Sequence, residues 1–318
     1  MYSGYITDVK GIKVGHAHSE EGITGLTVII SEEGAIGGVD VRGSAPGTRE
    51  TDLFRPDKMV EKINAIVLSG GSAFGLDASS GVMEFLEKKG IGLDVGFTKV
   101  PIVASAVIFD LNLGDHTIRP DKEMGYRACE NATLNEDRQG NIGCGMGASV
   151  GKILGFESAM KSGIGSASIK VGDLIVSAII CTNSLGDIYE GTEQIAGVYD
   201  YNEKKLLNTL EIMKSGHLKK TLNHTNTTIG VVATNARLTK AYANKLAEIS
   251  HNGFARAINP VHTMYDGDTI FSLATNEIDA DINLVFTLGA EVVRRAIVNS
   301  IFNAESLAKL KAYKDIIN

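Results

Sequence analysis

Thirty-six glycines against five prolines, with no tryptophan, limit what this chain of 318 residues can become more than any other feature it has. The glycines are spread along the chain rather than set in a repeat. They therefore call for many tight turns and close backbone approaches in a layered α/β or β-rich fold. A hydrophobic share of 43% with 22% charged residues is that of an ordinary globular protein, which argues against disorder, collagen and coiled coil. The length allows one large domain or two ordinary ones.

Thirty-one Lys and Arg stand against 38 Asp and Glu, a net charge of −7 that no basic cluster interrupts. A nucleic-acid partner or an anionic membrane surface is not expected. The opening segment MYSGYITDVKGIKVGHAH lacks the apolar stretch of a signal peptide. Runs such as Leu174 to Cys181 fall far short of the roughly 20 residues that cross a bilayer, so a cytoplasmic protein is expected. Cys129, Cys144 and Cys181 form no CxxC pair and are read as reduced, structural thiols.

The pattern of elements is mixed. Residues 23 to 42 read as a hairpin turning at Glu32-Glu33-Gly34, because β-branched residues dominate both sides of a short polar turn. Ala65 to Leu68 is a short strand running into SGGSAFG, followed by a helix with apolar positions at Leu76, Val82, Met83 and Leu86. Residues 100 to 113 are a further apolar run, and 115 to 142 are polar and turn-rich. The segment 168 to 182 has the β-branched density of one buried strand ending at Asn183. Residues 199 to 226 read as an exposed excursion with one helix near 203 to 214. Beyond it come the strand TTIGVVATNA, a helix capped near Asn252-Gly253, the strand DTIFSLAT and a helical stretch over 289 to 313. No internal repeat occurs, and strands in groups with helices between them predict sheets packed between helical layers.

Several glycine motifs invite a cofactor and fail in detail. SGGSAFG at 69 to 75 lacks the Lys-Ser/Thr pair of a phosphate loop and has Phe74 where a nucleophile elbow needs glycine. Gly143, Gly145 and Gly147 are spaced G-x-G-x-G, not as a dinucleotide fingerprint. Their N–H groups retain the capacity to cradle an oxyanion. His16, His18 and His262 have no matching Cys or His spacing and read as surface or core residues, so neither a metal nor a cofactor is expected.

The acidic pair Asp266-Gly267-Asp268 carries more. Carboxylates two apart in an extended segment project to the same side, where both cannot ionise freely and one pKa should rise; an Asp-Gly turn is the competing reading. Asn226-Thr227-Thr228, Asn183 and Lys152 form equally polar islands beside strong strands. Thr227 sits where a polar segment becomes a buried strand. If the chain were cut before it, the free α-amine, of ordinary pKa about 7.7 to 8.0, would stand beside the hydroxyl as a built-in base. A β-branched pair simply opening a strand is the alternative.

Over nearly its whole length the sequence resembles the DmpA-type P1 aminopeptidases, a family that includes β-aminopeptidases and nylon-oligomer hydrolases. The matching blocks are RGSAPGTRETDL (42–53), LSGGSAFGLDASSGVMEFLE (68–87), VPIVASAVIFDL (100–111), GMGASVGK (145–152), GIGSAS (163–168), NTTIGVVATNA (226–236) and HTMYDGDTIFSLAT (262–275). The resemblance implies an αββα sandwich similar to N-terminal nucleophile hydrolases. It also implies a precursor that cleaves itself between Asn226 and Thr227, giving an α-chain 1–226 and a β-chain 227–318, and assembly of these αβ units into a homo-oligomer. Thr227 is then the nucleophile, Asn183 holds it or donates to the oxyanion, and Lys152, Asp266 and Asp268 match polar residues of the nylon-oligomer branch. Phe109 stands where that branch carries tyrosine, so weak activity on nylon-type oligomers is expected. The substrate implied is a small peptide, amide or ester with a free amine. An acyltransferase of the ornithine acetyltransferase type would share the self-cleaving threonine, and a binding protein that keeps the fold and never cleaves is the other alternative.

Overall fold

A computed structural model of the chain describes residues 1–216 and 226–316. The principal strands are β1 (Ile12–Ser19), β2 (Thr24–Val41), β3 (Lys62–Ser69), β4 (Val103–Val107), β5 (Ile164–Val171), β6 (Leu174–Cys181), β7 (Ile229–Ala236) and β8 (Thr269–Ile278). The principal helices are α1 (Ala78–Lys88), α2 (Lys122–Glu130), α3 (Lys240–Ala257) and α4 (Ile282–Phe302). Three helices begin where their sequence supplies an acceptor for an orphan N–H: Asp121 takes Met124 N–H at 2.8 Å, Thr239 takes Tyr242 N–H at 3.2 Å and Asp281 takes Leu284 N–H at 2.8 Å.

The strands form one hydrogen-bonded path, β5-β6-β7-β8-β2-β3-β4, closed by a two-residue strand at Thr48–Arg49, with β1 beside β2. Neighbours are antiparallel except β7 with β8 and β3 with β4. The path folds into two layers because the 18-residue β2 serves both: its first half pairs with β1 and its second with β8. The period-2 alternation then sorts the apolar side chains. Ile179, Val231, Phe271 and Leu273 from one layer meet Ile29, Ile66, Leu68 and Ala104 from the other in a central core. Val176, Ile180, Val232 and Ile270 point the opposite way, onto Leu246, Phe254, Val293 and Ile297 of α3 and α4. Leu26, Val28, Val67 and Val103 face Val82, Leu86 and Met124 of α1 and α2. Helices, sheet, sheet, helices is the αββα sandwich expected.

Local expectations fail in instructive places. Residues 23 to 42 are not a hairpin. Ile30 pairs with Ala65 and Ala35 with Ile63 of the same strand β3, so the polar Ser31–Gly34 segment is a slip in register within one strand, and its glutamates are exposed. Conversely, 168 to 182 is not one strand. It belongs to the hairpin β5–β6, which turns at Gly172, whose φ of +59° suits glycine. The helix expected near 203 to 214 is shorter, Thr209–Lys214, started by Asn208 accepting from Glu211 N–H after a small strand pair, Tyr199–Asp200 with Lys205–Leu206. The rest of that excursion, residues 217–225, lies outside the described residues. Helix α3 runs through Asn252-Gly253 to Ala257, with Gly253 packed under α4, and α4 ends at Phe302 rather than extending to 313. Among the described residues no helix is long and apolar enough to cross a membrane.

Candidate active site

Three chain segments converge because of strand direction. Strand β6 is antiparallel to β7, with Cys181 opposite Ile229, and β7 is parallel to β8, with Ile229 opposite Thr269. The end of β6 therefore meets the beginnings of β7 and β8, and the polar residues just outside the ladder come together: Asn183, Asn226-Thr227-Thr228 and Asp266-Gly267-Asp268. The segment after β2 joins them, since Arg42 and Gly43 N–H both reach Asp268 O (3.0 and 3.1 Å) and Ala45 N–H reaches Asp266 O at 3.0 Å.

Thr227 is 5% exposed. Its N–H donates to Asn183 O at 2.9 Å, and its hydroxyl donates to the carbonyl oxygen of Asn226. That same carbonyl oxygen accepts Gly267 N–H at 3.1 Å. Gly267 can hardly be another residue, because a Cβ there would stand 2.8 Å from Thr227 Oγ1 and 2.6 Å from Ala45 O. Asn226 and Asp266 form an isolated parallel bridge, so the Asp-Gly sequence serves as an extended rung beside Thr227 rather than as a hairpin turn.

Asn183 is fully buried and fixed through both polar atoms of its side chain and through its carbonyl oxygen. Its Oδ1 accepts Ser149 N–H (3.1 Å) and Lys152 Nζ (2.7 Å), its Nδ2 donates to Phe109 O (3.2 Å), and its carbonyl takes Lys152 Nζ (3.1 Å) as well as Thr227 N–H. Lys152 and the Thr227 nitrogen thus meet on one oxygen. Burial pushes the Lys152 amine from 10.5 down to about 7, opposed by the charge of Asp266 and, less strongly, by Asp110 and Asp268. Asp266 moves the other way: burial first, then the negative charge of Asp268, raise its carboxyl to about 6. Its Oδ2 accepts Thr263 N–H at 2.9 Å. Asp268 spends Oδ1 on Thr228 N–H (2.8 Å) and Oδ2 on the ring Nδ1 of His262 (2.8 Å).

All five side chains named from the sequence are therefore in one cluster. His262, read above as a surface or core residue, belongs to it too. No spacing rule could have found it, because its role comes from a carboxylate six residues away. The glycine loop at 69 to 75 is not an oxyanion cradle at residues 70 to 72. Gly70 N–H is taken by Gly25 O, Gly71 N–H by Asp110 Oδ1 and Ser72 N–H by Ile108 O, at 2.8, 2.7 and 2.9 Å. The N–H that meets the Asn226 carbonyl oxygen is that of Gly267 instead. Phe109 contributes its backbone oxygen to Asn183. Among the described residues no cluster of three or more His, Cys, Asp or Glu is placed to hold a metal.

Comparison with known proteins gives a consistent picture. The model of peptidase family S58 matches residues 4–314. An uncharacterized aminopeptidase of Mycobacterium leprae is 37% identical over 342 aligned positions, covering 97% of this chain and 92% of that protein. A 6-aminohexanoate-oligomer endohydrolase of Paenarthrobacter ureafaciens is 34% identical over 285 positions, covering 86% of this chain and 75% of its own length. Among solved structures, an L-aminopeptidase D-Ala-esterase/amidase from Ochrobactrum anthropi, described as a variant of the Ntn hydrolase fold, superposes with a TM-score of 0.73. It is 17% identical, over 95% of this chain and 87% of that one.

Proposed function

The chain belongs to peptidase family S58 and is a hydrolase, and from that premise we propose that it is a self-cleaving N-terminal-nucleophile aminopeptidase that releases the first residue of small peptides, amides or esters. The observation that carries the proposal is the contact of the Thr227 hydroxyl with the Asn226 carbonyl oxygen, which Gly267 N–H also holds at 3.1 Å.

In the precursor, the neutral amine of Lys152 takes the hydroxyl proton as Thr227 Oγ attacks the Asn226 carbonyl carbon. Gly267 N–H donates to the oxyanion, which stays in place while charge develops on it. The Asn226–Thr227 C–N bond breaks, the proton passes to the departing nitrogen, and an ester remains on Thr227 until water hydrolyses it. The freed α-amine then sits against Asn183 O, where the Thr227 nitrogen already lies at 2.9 Å, and serves as base for the same hydroxyl in turnover. Asp266 and Asp268 supply the negative field that binds a substrate ammonium. Residues 1–318 act as one processing domain, yielding chains 1–226 and 227–318 that pair and assemble into a homo-oligomer, as the resemblance implies, in the cytoplasm.

Intact mass spectrometry of aged protein tests this. Scaling 33.8 kDa by length gives fragments of about 24 and about 10 kDa from peptide-bond scission. Thr227→Ala should stay whole, and a parent protein that keeps its full mass would refute the proposal. With cleaved protein, aminoacyl p-nitroanilides should turn over and their N-acetylated forms should not; equal rates would remove the aminopeptidase assignment.

A further inference from the structure

His262 is bound to the acidic pair in an unusual way. Its backbone φ is +54°, in the left-handed region that a histidine seldom adopts. That conformation turns two of its donors onto one atom: ring Nδ1 lies 2.8 Å, and backbone N 3.3 Å, from Oδ2 of Asp268. An ionised carboxylate only accepts, so Nδ1 carries the proton. The other carboxylate oxygen is left facing Thr228 N–H at 2.8 Å, one residue beyond the nucleophile. The ring is itself wedged, stacked on Phe254 at 6.0 Å between centroids and tilted against His251 at 4.9 Å. His251 is tied in turn through Nε2 to Asp40 O at 3.1 Å. A continuous chain of fixed contacts thus runs from helix α3 through His262 and Asp268 to the backbone next to Thr227.

We propose that His262 is a positioning residue for the nucleophile, holding Asp268 so that its free oxygen fixes the Thr228 amide and, through it, the direction of the Thr227 hydroxyl. The role rests on the self-cleaving hydrolase proposed above, yet it has a consequence that needs no activity.

Two variants separate the ring's donor from mere bulk. His262→Ala removes the donor. His262→Asn keeps it, because asparagine tolerates the left-handed backbone and sets an amide N–H near the position of Nδ1. His262→Ala should slow both precursor cleavage and p-nitroanilide turnover by about tenfold or more, through kcat with little change in KM, while His262→Asn stays within about threefold of the parent. In a Thr227→Ala background, where the chain stays whole, hydrogen exchange at the Thr228 amide should be faster with His262→Ala than with His262→Asn or His262. Parental rates for His262→Ala, an asparagine variant as slow as the alanine one when both are folded, or losses that only follow the melting temperature would each overturn the role. So would equal exchange in all three Thr227→Ala proteins. A parent that never cleaves counts against the self-cleavage proposal alone, since the exchange comparison still decides the positioning role.

Discussion

Replacing Lys152 by arginine separates a proton acceptor from a fixed cation at the same place. Lys152 is 1% exposed and its pKa is pushed from 10.5 to about 7 by burial. At ~1.4 kcal/mol for each tenfold change in proton affinity, holding the charged form there costs roughly 5 kcal/mol more than in water. The group is therefore about half deprotonated near neutrality, whereas an ordinary lysine would be almost wholly protonated. If the neutral amine accepts the Thr227 proton, self-cleavage rises with pH through about 7, and about one pH unit lower the rate is about a tenth of its plateau. The sign for stability is the same. Above about pH 7 the folded chain has shed a proton that the unfolded chain keeps up to 10.5, so this residue's contribution makes the fold more stable as pH rises across that window. Arginine stays protonated throughout and retains donors for the two Asn183 oxygens. Lys152→Arg should therefore cleave about a hundredfold more slowly or worse, with no limb near pH 7. The assay is a time course of full-length protein on denaturing gels from pH 5 to 9, with the precursor purified from a fast expression. A variant that cleaves within a few-fold of the parent along the same pH profile would refute the base assignment. A surviving limb near pH 6 would transfer it to Asp266.

Asp268→Asn removes one of the two causes that raise Asp266, so the Asp266 pKa should fall below about 6. A raised carboxyl stabilises the fold below its unfolded pKa and loses that contribution as pH rises through about 6. Urea unfolding at pH 4 to 7 should accordingly show a shallower loss for the variant than for the parent, with turnover down by about tenfold or more; an unchanged stability profile would mean the two carboxylates do not interact. Gly267→Ala places a methyl 2.8 Å from Thr227 Oγ1 and 2.6 Å from Ala45 O. Thr227 or the 42–47 segment must shift, and cleavage should fall by about a hundredfold for a stability loss of about 1–3 kcal/mol. Normal cleavage at the parental melting temperature would contradict the close approach.

What the sequence determines by itself is the inventory. Strand-forming blocks, glycine turns, a threonine where a polar stretch enters a buried strand, and two aspartates around a glycine can all be read from residue type and period, because side-chain alternation and turn chemistry are local. The ordered motifs also reveal the family, since many short blocks in one order over most of a chain specify a common architecture. Register is not local. The Glu32-Glu33-Gly34 segment has the composition of a turn, but both flanks of β2 pair with β3 and the chain runs straight on. The 168–182 segment has the composition of one strand, but Gly172 reverses it. Only the fold sets β6 antiparallel to β7 and β7 parallel to β8, and that arrangement alone brings residues 183, 227 and 266 to 268 to one place. The fold likewise withdraws Lys152 from water, gives Asp268 two donors from His262 and aims Gly267 N–H at the Asn226 carbonyl. Proton affinity and hydrogen-bond direction depend on what surrounds a group in three dimensions, and the linear order of residues does not contain that until the chain has folded.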